Sequence, residues 1–275
     1  MTIPMAAEHV DDIAPPERSL RAWAVQSALL SGRQLLVWFR DPSAMIQSLL
    51  LPALAMLMFK VVLGDAVGQA SGQNSAYGTV PLVILVGAMF GSQAAAVKLN
   101  IERGTGLLSR LYVLPINRAA DLTSRIVSEL VRILLTTIVL IAAGYLIGFR
   151  LDQGVLPALG LVGVALLYGA SFSMVALALA VSASPTAPLV PLLSMVSSLM
   201  MFFNSGFAPV ESYPGWLQPI VANQPMSPAI EVMRALAAGG PIAEDMWKVL
   251  IWAGVLLGLC TYPALRGYRR AATGR

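Results

Sequence analysis

Residues 153–210 form a run of 58 residues without a single Asp, Glu, Lys or Arg. A helix that crosses the hydrocarbon core of a bilayer needs about 20 apolar residues, so this run is long enough for two crossings. Three prolines within 185–191 divide it, because proline removes a helical hydrogen bond and clashes with the preceding turn. We therefore predict two membrane spans, near 155–182 and 189–208.

Four further apolar runs are long enough to cross a membrane, near 43–64, 77–97, 129–149 and 247–265. Charged residues make up only 12% of the chain, whereas a soluble domain carries roughly 25%. The apolar runs do not alternate with polar residues, which disfavours a closed barrel. The sequence predicts an all-α membrane protein with six transmembrane helices.

The basic residues predict the orientation of these helices, because Lys and Arg are enriched in cytoplasmic loops. If both termini are cytoplasmic, thirteen of the 18 basic residues face the cytoplasm. The thirteen are Arg18, Arg21, Arg33, Arg40, Lys98, Arg103, Arg110, Arg118, Arg125, Arg266, Arg269, Arg270 and Arg275. We predict a multi-pass protein of the cytoplasmic membrane. The net charge of +4 is then explained by this topology and by contact with anionic lipid headgroups, and it does not indicate a nucleic-acid partner.

The chain lacks the residues that most enzymes use. None of its three lysines follows a glycine, so the phosphate-binding loop of an ATPase is absent from the sequence. A single histidine, His9, and a single cysteine, Cys260, predict no metal site and no nucleophile–histidine pair. Any work that this protein performs must therefore draw on a partner or an ion gradient.

Both ends of the chain lie outside the spans. Residues 1–17 contain four acidic residues and are predicted to be a disordered tail, and 271–275 a cytoplasmic tail. Within 18–40, Trp23, Leu30 and Val37 recur every seven residues, which favours a helix lying in the membrane interface. The alternative is an ordinary polar segment leading into the first span.

The segment 99–118 is predicted to contain a short cytoplasmic helix. Its apolar stripe lies between two glycines and Pro115, and comprises Leu107, Leu108, Leu111 and Tyr112. A short amphipathic helix held between two spans can press into a groove of a cytosolic partner. An interfacial loop helix without a partner is the alternative.

The segment 208–238 is apolar but contains five prolines, too many for one helix. We predict a broken re-entrant hairpin on the outer face, with Tyr213 and Trp216 as interfacial anchors. Its second helix is expected to begin with Ser227 as N-cap and Pro228 at the first helical position, and to stop at 239–240.

Few ionisable or amide side chains lie within the predicted spans. Lys60 is close enough to a helix end for its ammonium to reach the headgroups. Glu129 and Arg132 are three residues apart and are predicted to form a local ion pair. Asn204 is expected to hydrogen-bond a neighbouring helix.

Two of these segments resemble the type-2 ABC exporter permease family over residues 18–270. The cytoplasmic motif comprises Glu102, Arg103, Gly106, Arg110, Leu111, Pro115 and Arg118. The outer motif comprises Ser205, Gly206, Pro209, Tyr213, Pro214, Trp216, Leu217, Asn223, Pro225, Arg234, Gly239 and Gly240. Within the family the sequence is similar to the daunorubicin-resistance-like branch, including mycobacterial permeases implicated in exporting phthiocerol-type lipids or drugs.

The resemblance implies an arrangement in which this chain binds no cofactor and a separate ABC ATPase subunit binds ATP and Mg. It implies a dimer with a second copy or a similar permease, and a cargo that is a lipid or a hydrophobic or amphipathic drug. The cargo path is implied to lie between the first, second and fifth spans of the paired permeases, with Lys60 and Asn204 as candidate lining residues.

The resemblance also assigns residues to roles. Coupling to the ATPase is implied for Glu102, Arg103, Gly106, Leu108, Arg110, Leu111 and Pro115. An extracellular gate is implied for Gly206, Pro209, Tyr213, Pro214, Trp216, Leu217, Asn223 and Pro225. Two alternatives remain, a membrane-embedded lipid-modifying transferase and a non-transporting membrane assembly partner, although a transferase would need an Asp-rich or His-containing site.

Overall fold

The computed structural model describes residues 19–72, 74–105, 118–182 and 189–273. Within these ranges the fold is all-helical and has no strand, which confirms the predicted class. The helices are α1 Leu20–Phe39, α2 Pro42–Met45, α3 Leu51–Ser71, α4 Ala76–Gly104, α5 Arg118–Leu146, α6 Val155–Ser182, α7 Leu189–Phe202, α8 Gln218–Asn223, α9 Met226–Ala238 and α10 Ala243–Thr273. One π-helical turn, Ile46–Leu50, joins α2 to α3. Residues 1–17, predicted as a tail, lie outside the described ranges.

Five described segments are long and apolar enough to cross a membrane: Pro42–Val62, Ala76–Gly104, Ala120–Leu146, Val155–Ser182 and Ala243–Gly267. The fifth predicted span, near 189–208, contains only the 14-residue helix α7. Fourteen residues rise about 21 Å at 1.5 Å each, which is less than the thickness of the hydrocarbon core. The protein thus has about five candidate spans, and a sixth stays a prediction.

Helices α4 and α6 form the centre of the bundle and carry about half of the buried hydrophobic side chains of the described residues. They pack against each other and against α5, and α9 packs against both. The close approach depends on Gly169 of α6, which is buried and faces Ala88 of α4 and Ile133 of α5. Small residues allow backbones to approach in membranes, where association relies on packing and not on the hydrophobic effect.

Helix α1 begins where the side chain of Ser19 accepts a hydrogen bond from the backbone N–H of Ala22. Its buried face carries small residues and packs on α5 through polar contacts. The Ser31 hydroxyl donates to the Ser124 carbonyl at 3.2 Å, and the Ser128 hydroxyl donates to Gln34 Oε1 at 2.8 Å. These contacts attach α1 to the bundle, and its location in the membrane interface stays a prediction.

The chain between α7 and α10 is broken into short pieces, as its prolines require. A 3-10 turn, Val210–Ser212, is followed by α8 and by the mostly buried helix α9. The predicted N-cap was wrong: α9 begins at Met226, with Pro225 at the cap position. The Ser227 hydroxyl instead accepts a hydrogen bond from the Ser205 backbone N–H, 3.3 Å away, so it links α9 to the turn after α7.

The Gly169→Ala substitution tests the contact at the centre of the bundle. A Cβ at this position would overlap Ile133 and lie 3.3 Å from the Ala88 Cβ, and such overpacking costs about 1–3 kcal/mol. We expect the apparent Tm of the purified protein to fall by several degrees. Gly163→Ala on the same helix has no neighbour within 4 Å and is the control; an equal loss in both variants would contradict the packing.

Candidate functional site

Of the residues implied to couple to the ATPase, the structure describes Glu102 and Arg103, which lie at the end of α4. Arg125 Nη2 donates to Glu102 Oε2 at 2.8 Å, and Arg125 Nε donates to Asp121 Oδ2 at 3.1 Å. We call Glu102, Asp121 and Arg125 the Arg125 cluster. All three side chains are largely buried, where an ion pair is weakly screened and the loss of one partner is costly.

The Arg125 cluster joins the two ends of the predicted coupling segment. Glu102 lies near the start of the segment, where α4 ends, and Arg125 follows the segment on α5. Arg103 lies close to the end of α6, with its Nη1 3.5 Å from the Val181 carbonyl. The other predicted coupling residues lie outside the described ranges: Gly106, Leu108, Arg110, Leu111 and Pro115.

A second buried ion pair lies one turn further along α5. Arg132 Nε donates to Glu129 Oε2 at 3.0 Å, Arg132 Nη2 contacts Glu129 Oε1, and the Ser92 hydroxyl donates to the same oxygen at 3.1 Å. The local ion pair predicted from the sequence is therefore present. The guanidinium lies over Gly91 of α4, where any Cβ would overlap it, so the pair also links α4 with α5.

A cavity of about 720 Å³ lies beside both ion pairs. Helices α1, α3, α4 and α5 contribute most of its wall. Phe59, Leu82 and Met201 line its apolar part, and Glu102 and Arg132 are among its charged residues. This volume is within the roughly 300–1,000 Å³ of small-molecule sites.

At the opposite end of α4, the turn after α7 lies against the helix backbone. Arg234 Nη2 donates to the Ser205 carbonyl at 2.9 Å and Nη1 donates to both carboxylate oxygens of Glu231. A Cβ on Gly78 would lie only 2.7 Å from the Gly206 carbonyl oxygen. We call Gly78, Ser205, Gly206, Glu231 and Arg234 the Arg234 cluster. Along the axis of α4, Gly78 lies about 36 Å from Glu102, because an α-helix rises 1.5 Å per residue.

The predicted gate residues follow this turn along the chain. The Tyr213 hydroxyl donates to the Asn204 carbonyl at 2.9 Å, and burial raises the pKa of Tyr213, so the phenol remains a donor at neutral pH. The Asn223 carbonyl accepts a hydrogen bond from Trp252 Nε1 at 2.7 Å. Trp216 is 72% exposed. The remaining predicted gate residues are cap or turn residues of the same segment: Pro209, Pro214, Leu217 and Pro225.

The two residues suggested for the cargo path do not line the cavity. Lys60 Nζ donates to Asn74 Oδ1 at 2.9 Å and to Ser75 Oγ at 3.3 Å, in the connection between α3 and α4. Asn204 is fully buried, and its Oδ1 accepts from the Gly206 backbone N–H at 2.8 Å. The hydrogen bonds of the Asn204 side-chain amide stay within its own segment, so the expected hydrogen bond to a neighbouring helix is not formed.

Sequence reasoning missed the residues that connect these elements. Asp121 and Glu231 belong to none of the predicted motifs, and Gly78 and Gly91 had no signal, since a glycine in an apolar helix does not reveal what lies against it. The link between Glu102 and Arg125 had a weak signal in the opposite charges that flank the coupling segment.

The family model that matches this chain is that of the ABC-2 type transporter, over residues 25–237. The chain therefore belongs to the ABC-2 type transporter family: it is a multi-pass membrane protein and a permease, a transport component and not an enzyme by itself. Permeases of this kind work in the membrane together with an ATPase.

Curated relatives agree with this assignment. The chain is 37% identical over 257 residues to the "Probable doxorubicin resistance ABC transporter permease protein DrrC" of Mycobacterium tuberculosis, covering 94% of this chain and 93% of the relative. It is 27% identical over 269 residues to the "Daunorubicin resistance ABC transporter permease protein DrrB1" of Streptomyces coeruleorubidus, covering 98% and 95%. Similarity thus extends over nearly the whole permease.

The Gly78→Ala substitution tests the contact between α4 and the turn after α7. An added methyl would push against the Gly206 carbonyl and against Arg234 Nη2, 3.0 Å away, so we expect the 204–212 segment to open more readily. Amide hydrogen exchange in this segment should become about tenfold faster. The control is Gly87→Ala on the same helix, with no neighbour within 4 Å; unchanged exchange in Gly78→Ala would refute the contact.

Proposed function

We propose that this chain is the permease subunit of an ATP-driven exporter in the cytoplasmic membrane, with both termini in the cytoplasm. A separate ABC ATPase subunit would bind ATP and Mg and dock at residues 99–118, and a second copy or a similar permease would complete the transporter. The observation that carries this proposal is the Glu102–Arg125 ion pair, which joins the helices on either side of the docking segment.

The ion pair offers a physical route from the ATPase to the cavity. A force on the docking segment would act on α4 and α5 together, because their adjoining ends are held by one arginine. Both helices line the cavity, so its shape would change as they move. Rigid-body displacement of packed elements is a common form of such transitions.

Helix α4 also extends this route to the outer segment. It runs for 29 residues from the Arg234 cluster to the Arg125 cluster. A shift of α4 at its cytoplasmic end would therefore displace Gly78 against Gly206, and with it the segment that contains Tyr213 and Trp216. We propose that this segment, 208–238, is a re-entrant hairpin that gates the extracellular exit.

The proposed cargo is a lipid or a hydrophobic or amphipathic drug. The cavity supports a cargo with an apolar body, since most of its wall is apolar. The names of the relatives, which refer to doxorubicin and daunorubicin resistance, support export of drugs and a role in antibiotic resistance. Lipid export is supported by the resemblance to mycobacterial lipid exporters.

The Glu102→Gln substitution tests the coupling role. It weakens the link between α4 and α5, and we expect doxorubicin transported per ATP hydrolysed to fall several-fold in proteoliposomes containing permease and ATPase, while the complex still assembles. Asp121→Asn is the matched control, because Asp121 pairs with Arg125 from the same helix. Equal transport ratios in the two variants would refute coupling through Glu102.

The Trp216→Ala substitution tests the outer gate. Trp216 is 72% exposed and lies within the proposed exit segment, so its loss should alter doxorubicin export without reducing co-purification of the ATPase. Trp247→Ala removes an equally large, 65% exposed side chain at the start of α10 and should leave export unchanged. If Trp216→Ala instead abolishes the complex, the segment has a structural role only.

A further inference from the structure

The cavity beside α4 and α5 contains a buried arginine with unused hydrogen-bond donors. The guanidinium of Arg132 has five N–H donors, and two of them are directed at Glu129. The other three find no acceptor among the described residues, although the Arg132 side chain is only 9% exposed. The Arg132 nitrogens are not among the buried side-chain atoms that lack a partner, which are Ser27 Oγ and Thr137 Oγ1 in the described part of the chain. The remaining donors therefore open into the cavity, where a ligand can bring an acceptor to them.

The position of the guanidinium directs these donors into the cavity. Arg132, Glu129, Ser92 and Gly91 all line it. Gly91 has no side chain to cover the guanidinium, and any Cβ there would occupy its place. The bidentate contact with Glu129 fixes the orientation of the guanidinium plane, which is how arginine gains directional specificity.

The charges of the cavity favour an uncharged acceptor over an anion. Three acidic residues, Asp41, Glu102 and Glu129, and three basic residues, Lys98, Arg125 and Arg132, line its wall. An anion at Arg132 would also lie beside the Glu129 carboxylate and be repelled by it. A carbonyl or ester oxygen accepts the same hydrogen bonds without this repulsion.

We propose that the cavity between α1, α3, α4 and α5 is a cargo-binding site within a single protomer, and that it takes amphiphiles of small-molecule size that carry no anionic group and whose carbonyl or ester oxygens accept hydrogen bonds from Arg132. The volume of about 720 Å³ admits a drug-sized body and leaves any long alkyl chain outside. The assignment of this cavity as a cargo site rests on the proposed export function. The ligand preference of the cavity can be measured on the permease alone.

The test uses two uncharged naphthalene probes that differ in one group. Prodan, 6-propionyl-2-dimethylaminonaphthalene, carries a ketone whose emission shifts to the red on accepting a hydrogen bond, and its 6-propyl analogue has no carbonyl. Binding of each is titrated with the full chain in nanodiscs. Ala95→Trp places a large side chain in the cavity wall. The probe signal that remains in this variant measures probe dissolved in the lipid.

We expect prodan to bind about tenfold more tightly than the propyl analogue, as for one hydrogen bond from a charged donor, with a red shift of the bound fraction. Gly91→Ala, which displaces the guanidinium, and the paired change Glu129→Gln with Arg132→Met should both abolish this preference. The paired change avoids leaving a lone buried carboxylate. Gly163→Ala, far from any neighbour, should keep it.

Equal affinities for the two probes in the unaltered protein would overturn the proposal, and so would a ketone preference that survives in Gly91→Ala. Binding that is unchanged in Ala95→Trp would place the probe elsewhere and also overturn it. These results are independent of the ATPase. If the ketone preference behaves as expected while proteoliposomes containing permease and ATPase show no ATP-dependent transport, the export proposal fails and the binding site stands.

Discussion

Charged side chains within a bilayer must find partners inside the protein, because the hydrocarbon offers no water to solvate them. In the described part of the chain three arginines meet that requirement, and each of them also contacts a separate part of the structure. Arg125 links α5 to α4 through Glu102, and Arg132 lies over the α4 backbone at Gly91 while bound to Glu129. Arg234 holds the turn after α7. The charged residues of these pairs therefore lie at contacts that position α4.

We propose that the sites communicate through helix α4. One end of α4 bears Glu102, its middle lines the cavity, and its opposite end contacts Gly206 through Gly78. Glycines at 78 and 91 permit these close contacts because they place no side chain between the helix and its partners. A rigid helix with fixed contacts at both ends transmits displacement along its length, which is the property that alternating exposure of a cargo site requires.

The sequence predicted the helical class and the most apolar helices well, because hydropathy reflects the solvent that each residue meets. Helix α6, Val155–Ser182, coincides with the range predicted from the charge-free run. Reasoning by residue pattern was less successful where tertiary contacts decide, as at Ser227, whose hydroxyl binds Ser205 instead of capping α9. The Glu102–Arg125 pair and the cavity were not predicted, since they depend on helix packing that no local pattern encodes.

If the link between α4 and α5 transmits ATP use by the partner, the cavity should change shape during the ATPase cycle. A single cysteine in the cavity wall, Ala95→Cys in a Cys260→Ala background, reports this change in the complex with the ATPase. The rate of maleimide labelling is then compared with and without ATP and vanadate. We predict a several-fold change that is lost when Glu102 is replaced by Gln; labelling that is the same in both nucleotide states would contradict the claim.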